Sequence, residues 1–274
     1  MIAKILGDET FARWCENNYQ DFKMNIYESI DAVMRLKGIS HIPGCAEYGD
    51  CDPTSTAAAV IYCGEMNHLP QAQLKKMFDN YYADLSSRFR PGARYQFTPY
   101  EIRSATAFLF MGEKVKALES IRFMLTCRRP APWNHLAEVV NSEYRNPNYL
   151  GDMPHAWVGA ELVHAIRCLF AYEREDKLVL GRGVADEWLS RPEGVSVKGL
   201  PTSYGKISYT IRKTEDELQI KILGDNSTLP PGGFVFYIPE SWKIKGVVVN
   251  GEPWKNFSDH SIMFDSIPAD MRIR

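Results

Sequence analysis

Several signatures that would settle a function class are missing from this 274-residue sequence. None of the cysteines (Cys15, Cys45, Cys51, Cys63, Cys127 and Cys168) forms a CxxC pair, which argues against a zinc ribbon or a thioredoxin-type motif. There is no GxSxG elbow, no HExxH, no P-loop and no GxGxxG after a strand. "GRGVADEW" has the first two glycines of a dinucleotide fingerprint but not the third, and Trp188 and Pro192 argue against a phosphate-binding helix. No apolar run approaches the roughly 20 residues needed to span a bilayer. The formal net charge is −2 and the one basic cluster, "CRRP", is small, so nucleic acid and anionic membrane are not expected partners. The N-terminus, "MIAKILGDETFARW", has no signal-peptide pattern, because Asp8 and Glu9 follow a very short apolar stretch. As written, the chain is expected in the cytoplasm; a secreted or periplasmic parent stays open.

What is present divides into two textures. Up to about residue 175 the pattern is helical, and after it strands and turns dominate, so the expected domains are 1–175 and 176–274. Phe11, Trp14, Phe22, Ile26, Ile30 and Val33 recur at helical spacing and Gly38 stops that run. Asp52 with Pro53, and Pro70, read as helix starts; Thr98, Pro99 and Glu101 read as a capping box. "EIRSATAFLFMG" and "EKVKALESIRFMLTC" form a helical hairpin about Gly112. A last helix is expected from about Pro154 to Glu173, with Gly159, Leu162, Val163, Ile166, Leu169 and Phe170 on one face. Cys63, Cys127 and Cys168 fall within apolar helical patterns, as small hydrophobes. From "KLVLGRGV" onward, short Val-, Ile- and Tyr-rich runs separated by turn residues predict a small antiparallel β-sandwich. The fold class is therefore α+β: antiparallel helical hairpins followed by a sandwich.

The chemistry concentrates in two long connections. "WNHLAEVVNSEYRNPNYLGDMPHAW" gathers Trp133, His135, Glu138, Glu143, Asp152, His155 and Trp157 between two helices. A carboxylate on a loop, open to solvent and beside aromatic surface, is what a water-activating base at a sugar needs. The residues alone leave two roles open for Glu138: that base, or a solvated loop carboxylate. Asp152 can cap the following helix; His155 and Trp157 can donate to hydroxyls or simply order the loop and pack. "CAEYGDCDPTST" adds Glu47, Asp50 and Asp52, of which Asp52 is better explained as a cap. Asp50 can bind a hydroxyl or stiffen its turn, and Glu47 is the best second carboxylate available.

Four stretches taken together, "IPGCAEYGDCDPTSTAAAV", "RRPAPWNHLAEVV", "LGDMPHAWVGAELV" and "LVLGRGVADEWL…GVSVKGLPTSYGKISYTIR", resemble the six-hairpin (α/α)6-barrel glycoside hydrolases. The closest likeness is to a bacterial glucoamylase-like family with an appended β-sandwich. In such barrels a glutamate in the loop before the final barrel helix is the general base, and Glu138 occupies that place. The resemblance implies inverting hydrolysis of glycosidic bonds in an oligo- or polysaccharide, with Trp133, His135, Asp50, Asp152, His155 and Trp157 as sugar contacts. No metal and no organic cofactor are implied. It covers only the C-terminal half of a barrel plus its sandwich, and the family's "WDD"-like segment with the general acid has no counterpart here. Glu47 is the acid only if the chain is self-contained. Otherwise the implied partner is a second copy or an N-terminal half-barrel, or the module binds sugar without cleaving it.

Overall fold

A computed structural model describes residues 2–128, 131–143, 146, 151–225 and 228–274, and the chain divides into two compact units, Met1–Pro91 and Gly92–Arg274. The first unit is helical: α1 (Ile2–Ile5), α2 (Glu9–Lys37), α3 (Pro53–Tyr62) and α4 (Gln71–Ser87). The capping signals act as read. The Asp8 carboxylate accepts the Phe11 N–H at the start of α2, and Gly38 ends that helix at a φ of 62°, which favours glycine. Asp52 accepts from the N–H groups of Thr54 and Ser55, with Pro53 opening α3. Pro70 is the cap residue of α4 rather than its first helical residue. Cys63 follows the end of α3 and is exposed, not part of an apolar face; Cys127 and Cys168 are buried.

Leu74, Met77, Phe78 and Leu85 of α4 and Ala57 and Val60 of α3 supply the core of this unit. The apolar face of α2 behaves differently from its pattern. Phe11, Trp14 and Phe22 are 52%, 59% and 68% exposed, and only Val33 of that series is buried. A helix-period stripe records which side seeks cover, and among the described residues no cover is found for its N-terminal half. Further along, α2 borders a cavity of about 420 Å³ lined by Phe22, Ile26, Tyr27, Ala59 and Glu65. Glu65 accepts hydrogen bonds there from Tyr27 Oη (2.6 Å), Lys23 Nζ (3.0 Å) and Tyr19 Oη (3.2 Å). Burial opposes the Glu65 charge, but the bonds from Tyr27 and Lys23 outweigh it and hold the carboxyl below its ordinary value.

Among its described residues the second unit joins three α-helices to a two-stranded ladder and two larger sheets. In chain order it contains β1 (Gln96–Phe97), α5 (Ile102–Phe110), α6 (Lys114–Thr126), β2 (Val140–Asn141), α7 (Ala156–Phe170), β3 (Ala171–Arg174) and β4 (Lys177–Leu180). The remaining strands are β5 (Val195–Thr202), β6 (Gly205–Lys213), β7 (Leu218–Gly224), β8 (Phe234–Tyr237), β9 (Val247–Val249), β10 (Glu252–Trp254), β11 (Ser261–Phe264) and β12 (Ala269–Ile273). The α5–α6 hairpin forms about Gly112, whose φ of 88° suits only a residue without Cβ.

The change from helix to strand falls where the sequence changes texture. Helix α7 stops at Phe170 rather than Glu173, and residues 175–176 form the turn of the β3–β4 hairpin. One sheet has the order β10-β9-β12-β7-β6-β5 and the other β11-β8-β4-β3. All pairs are antiparallel except β4 with β8, which run parallel, Leu178 opposite Phe234. Alternate residues Ile207, Tyr209 and Ile211 of β6 and Ile220 and Ile222 of β7 share one core with Leu178, Leu180, Phe234 and Phe236 of the smaller sheet. The α+β class, helices followed by a β-rich part, is thus the observed one.

The depressed Glu65 carboxyl gives a signed expectation. Its contribution to stability is present above the unfolded-state value of about 4.3 and is lost as the pH falls through the lower folded value. Melting curves between pH 7 and pH 3 are expected to show Glu65→Gln melting below wild type at neutral pH, with the gap closing in acid.

Candidate functional site

A short ladder brings two distant segments together. Gln96 pairs with Asn141 and Phe97 with Val140, and the Ser142 N–H donates to the Tyr95 carbonyl at 2.8 Å. Tyr95 and Phe97 pack against Phe123 of α6 beneath this ladder. The strand β1 then turns through Thr98, whose hydroxyl accepts the Tyr100 N–H, into the short helical turn Pro99–Glu101. Glu138 lies two residues before β2, and Tyr100 three residues after β1. One ladder therefore fixes the starting points of both.

Two further backbone bonds and one to a side chain fold the loop onto the start of α7. The Glu138 N–H donates to the Asp152 carbonyl (3.0 Å), the Asp152 N–H to Glu138 Oε2 (3.2 Å), and the His155 N–H to the Leu136 carbonyl (3.0 Å). Gly151 permits this approach, because a Cβ there would lie 2.7 Å from the Glu138 Cβ. As a result one donor atom from each of Glu138, Asp152 and His155 lies within 4.8 Å of the others. Glu138 and His155 are half-buried and Asp152 is exposed. Glu138 Oε1 has no hydrogen-bond partner among the described residues.

Tyr100 Oη lies 2.7 Å from His155 Nε2, and its ring meets those of His155 and Trp157 edge-on at 5.5 and 5.4 Å. Burial, with the negative charge of Glu138 adding to it, pushes the Tyr100 phenol above its ordinary value. The Arg103 guanidinium sits 5.0 Å over Tyr100 and 5.7 Å from Trp157 while Nε donates to Glu161 Oε1 at 2.7 Å. Glu161 is only 7% exposed. It occupies a core position of α7, whose buried face is Val158, Glu161, Ala165, Cys168 and Leu169. The face expected from the sequence is displaced accordingly, with Val163 68% and Ile166 37% exposed. The Glu161 charge is an interior one, paired with Arg103.

Of the residues expected at a site, the fold brings Glu138, Asp152 and His155 into one cluster, with Trp157 joined to them through Tyr100. Trp157 is 61% exposed, so much of the indole is open to solvent. Asp152 does not cap α7: the cap residue is His155, and the Asp152 side chain lies with Glu138 instead. Trp133, 62% exposed, and His135, also exposed, lie on the segment leading to Glu138. Glu47 and Asp50 belong to the first unit. Asp50 Oδ1 accepts the Cys45 N–H and its carbonyl accepts the Gly44 N–H, so it stiffens the turn; Glu47 is exposed, its carbonyl accepting from Lys37 Nζ. Tyr100, Arg103 and Glu161 were not singled out from the sequence. For Glu161 a signal existed: an acid at helical spacing among buried apolar positions needs a partner.

No family model matches the chain, and no curated protein does. Among solved structures, a GH127 β-L-arabinofuranosidase from Geobacillus stearothermophilus T6 superposes on 64% of this chain and 30% of its own, at 9% identity and a TM-score of 0.30. A second, described as a glycoside hydrolase, covers 75% of this chain and 43% of its own at the same identity and TM-score. The chain thus spans less than half the length of either. A TM-score of 0.30 is too low to carry a fold or an activity from them to this protein.

Removing the Arg103 charge tests the framework directly. Arg103→Met leaves the Glu161 carboxylate without its guanidinium and is expected to cost about 3–5 kcal/mol, read as a lower midpoint in urea. A loss under about 1 kcal/mol would mean that the pair does not hold α5 to α7.

Proposed function

We propose that the Glu138 cluster is a carbohydrate site of glycoside hydrolase type, in which Glu138 is the general base of an inverting hydrolysis. The observation that carries this reading is a half-buried carboxylate, one oxygen of which has no hydrogen-bond partner among the described residues, clustered with His155, which meets Tyr100, which in turn meets the exposed Trp157. Oε2 is engaged by the Asp152 N–H, and Oε1 is left to take a proton from water. That water attacks the anomeric carbon while an acid on the opposite side of the ring protonates the departing glycosidic oxygen. The Trp157 indole offers a flat apolar surface for a sugar ring, and Asp152, His155, Trp133 and His135 offer groups for hydroxyls.

Asp152 is not that acid. Inverting pairs stand about 6.5–9.5 Å apart to admit water and sugar, whereas Asp152 presents an oxygen within 4.8 Å of Glu138. The acid is then a carboxylate other than Asp152, from this chain or from another, either a second copy or an N-terminal half-barrel. The exposed Phe11, Trp14 and Phe22 face of α2 favours such a partner. The same close spacing favours a second reading, an oligo- or polysaccharide-binding module without hydrolysis.

Thermal unfolding of the purified chain against a panel of mono- and oligosaccharides separates these readings. A sugar-specific rise in melting temperature that Trp157→Ala removes is expected, since a ligand of the folded state stabilises it. If the chain hydrolyses that sugar, Glu138→Gln is expected to cut turnover about 10²–10⁴-fold while keeping the thermal shift, with the released anomer inverted by NMR. Binding without turnover selects the module reading. No shift with any sugar removes both.

A further inference from the structure

We infer that Glu138, Asp152 and His155 form a binding site for a single divalent transition cation of the Mn²⁺–Zn²⁺ type. The donor set is two carboxylates and one imidazole, with one atom of each inside a 4.8 Å triangle. Such a cation sits about 2.0–2.2 Å from oxygen and nitrogen ligands, so neighbouring donors come within about 3–4 Å of one another. Small rotations of the side chains close that difference. The imidazole argues against Mg²⁺ and Ca²⁺, which take all-oxygen shells, and the lack of a thiolate argues against Cu(I).

Two independent features single this cluster out from an ordinary group of surface acids. First, the carboxylates of Glu138 and Asp152 crowd together with no Lys or Arg paired to either among the described residues; the nearby Arg103 is committed to Glu161. Like charges that close repel, and a bound cation relieves the repulsion. Second, an outer partner sets the imidazole. Tyr100 Oη lies 2.7 Å from His155 Nε2, so Nδ1 is assigned to the cation, with Nε2–H donating to the phenol oxygen. That is the arrangement by which outer-shell groups orient metal-binding histidines. The bonds between Glu138 and Asp152 and from the His155 N–H to the Leu136 carbonyl bring the three residues together before any ion arrives.

Three protein ligands leave coordination positions for water or for vicinal hydroxyls of a ligand. This inference goes beyond the general-base reading and does not rest on it. A cation on Glu138 engages the carboxylate that a base needs, so metal-free and metal-loaded protein are two distinct states of one site.

The test is titration of the chelator-treated full chain with MnCl₂ alone, followed by the electron paramagnetic resonance signal of free Mn²⁺. Manganese is the probe because oxygen and nitrogen donors suit it and thiolates do not, so the exposed Cys15, Cys51 and Cys63 do not compete. One Mn²⁺ per chain is expected, with His155→Ala and Asp152→Asn each weakening binding by more than about tenfold and Tyr100→Phe by about tenfold. Asp152 is exposed and Asn is isosteric, which keeps the measurement informative should His155→Ala fail to fold. No binding at about 1 mM MnCl₂, or binding that Asp152→Asn leaves unchanged, overturns the proposal. Sugar-induced stabilisation of the metal-free protein is read separately, so failure of the cation site leaves the carbohydrate reading standing, and the converse.

Discussion

The candidate site depends on one buried ion pair. Arg103 on α5 and Glu161 on α7 meet at 2.7 Å with little solvent around either side chain. Taking two charges out of water costs several kcal/mol per ion before their attraction and hydrogen bond offset it. A hydrophobic pair would hold two helices together as well, so the charges are better explained by what they orient. The guanidinium lies over Tyr100 and against Trp157, and Tyr100 in turn meets His155. The ion pair thus sits against the Tyr100 and Trp157 rings, and through Tyr100 it supports the His155 ring of the Glu138 cluster, while carrying no chemistry of its own.

The second support is the continuity of α7 with the sandwich. Ala171 follows Phe170 without a connecting loop, and β3 begins at once. The Phe170 carbonyl accepts from Tyr209 Oη (2.9 Å) and from the Gly181 N–H (2.9 Å), both in the sandwich. Arg167 binds Glu173 and the Pro201 carbonyl, and Phe110 of α5 stacks on Tyr172 of β3. A helix carrying His155 at its start is therefore clamped at its end by the β-sheet core.

The local features were legible in the sequence, and the tertiary ones were not. Asp52, Thr98, Gly38 and Gly112 act within a few residues of themselves, so their chemistry can be read in one dimension. The strands β5 to β9 were legible for the same reason, through alternation and turn residues. The parallel β4–β8 pair was not, because pairing direction is fixed by partners far away in the chain. Glu138, Asp152, His155 and Trp157 could be singled out together because one connection holds them all. Tyr100 and Arg103 stayed hidden because their partners lie more than fifty residues on. The buried face of α7 differs from the apolar one expected because it includes Glu161, a charge that its pairing with Arg103 allows inside. The exposed face of α2 marks the opposite case: an apolar stripe says that cover is wanted, not that the same unit provides it.

The strand order of the larger sheet sets when it can form. Strand β12 lies between β9 and β7, pairing Met271 with both Val249 and Ile220. Until residues 269–273 are synthesised, β9 and β10 have no route into the sheet, and β7 offers a bare edge whose Ile220 and Ile222 belong to the core. The nascent chain must carry that unpaired, hydrophobic edge throughout the synthesis of some fifty residues, a condition that favours association with other edges over waiting. A chaperone holding residues 205–224 during that interval would meet the need.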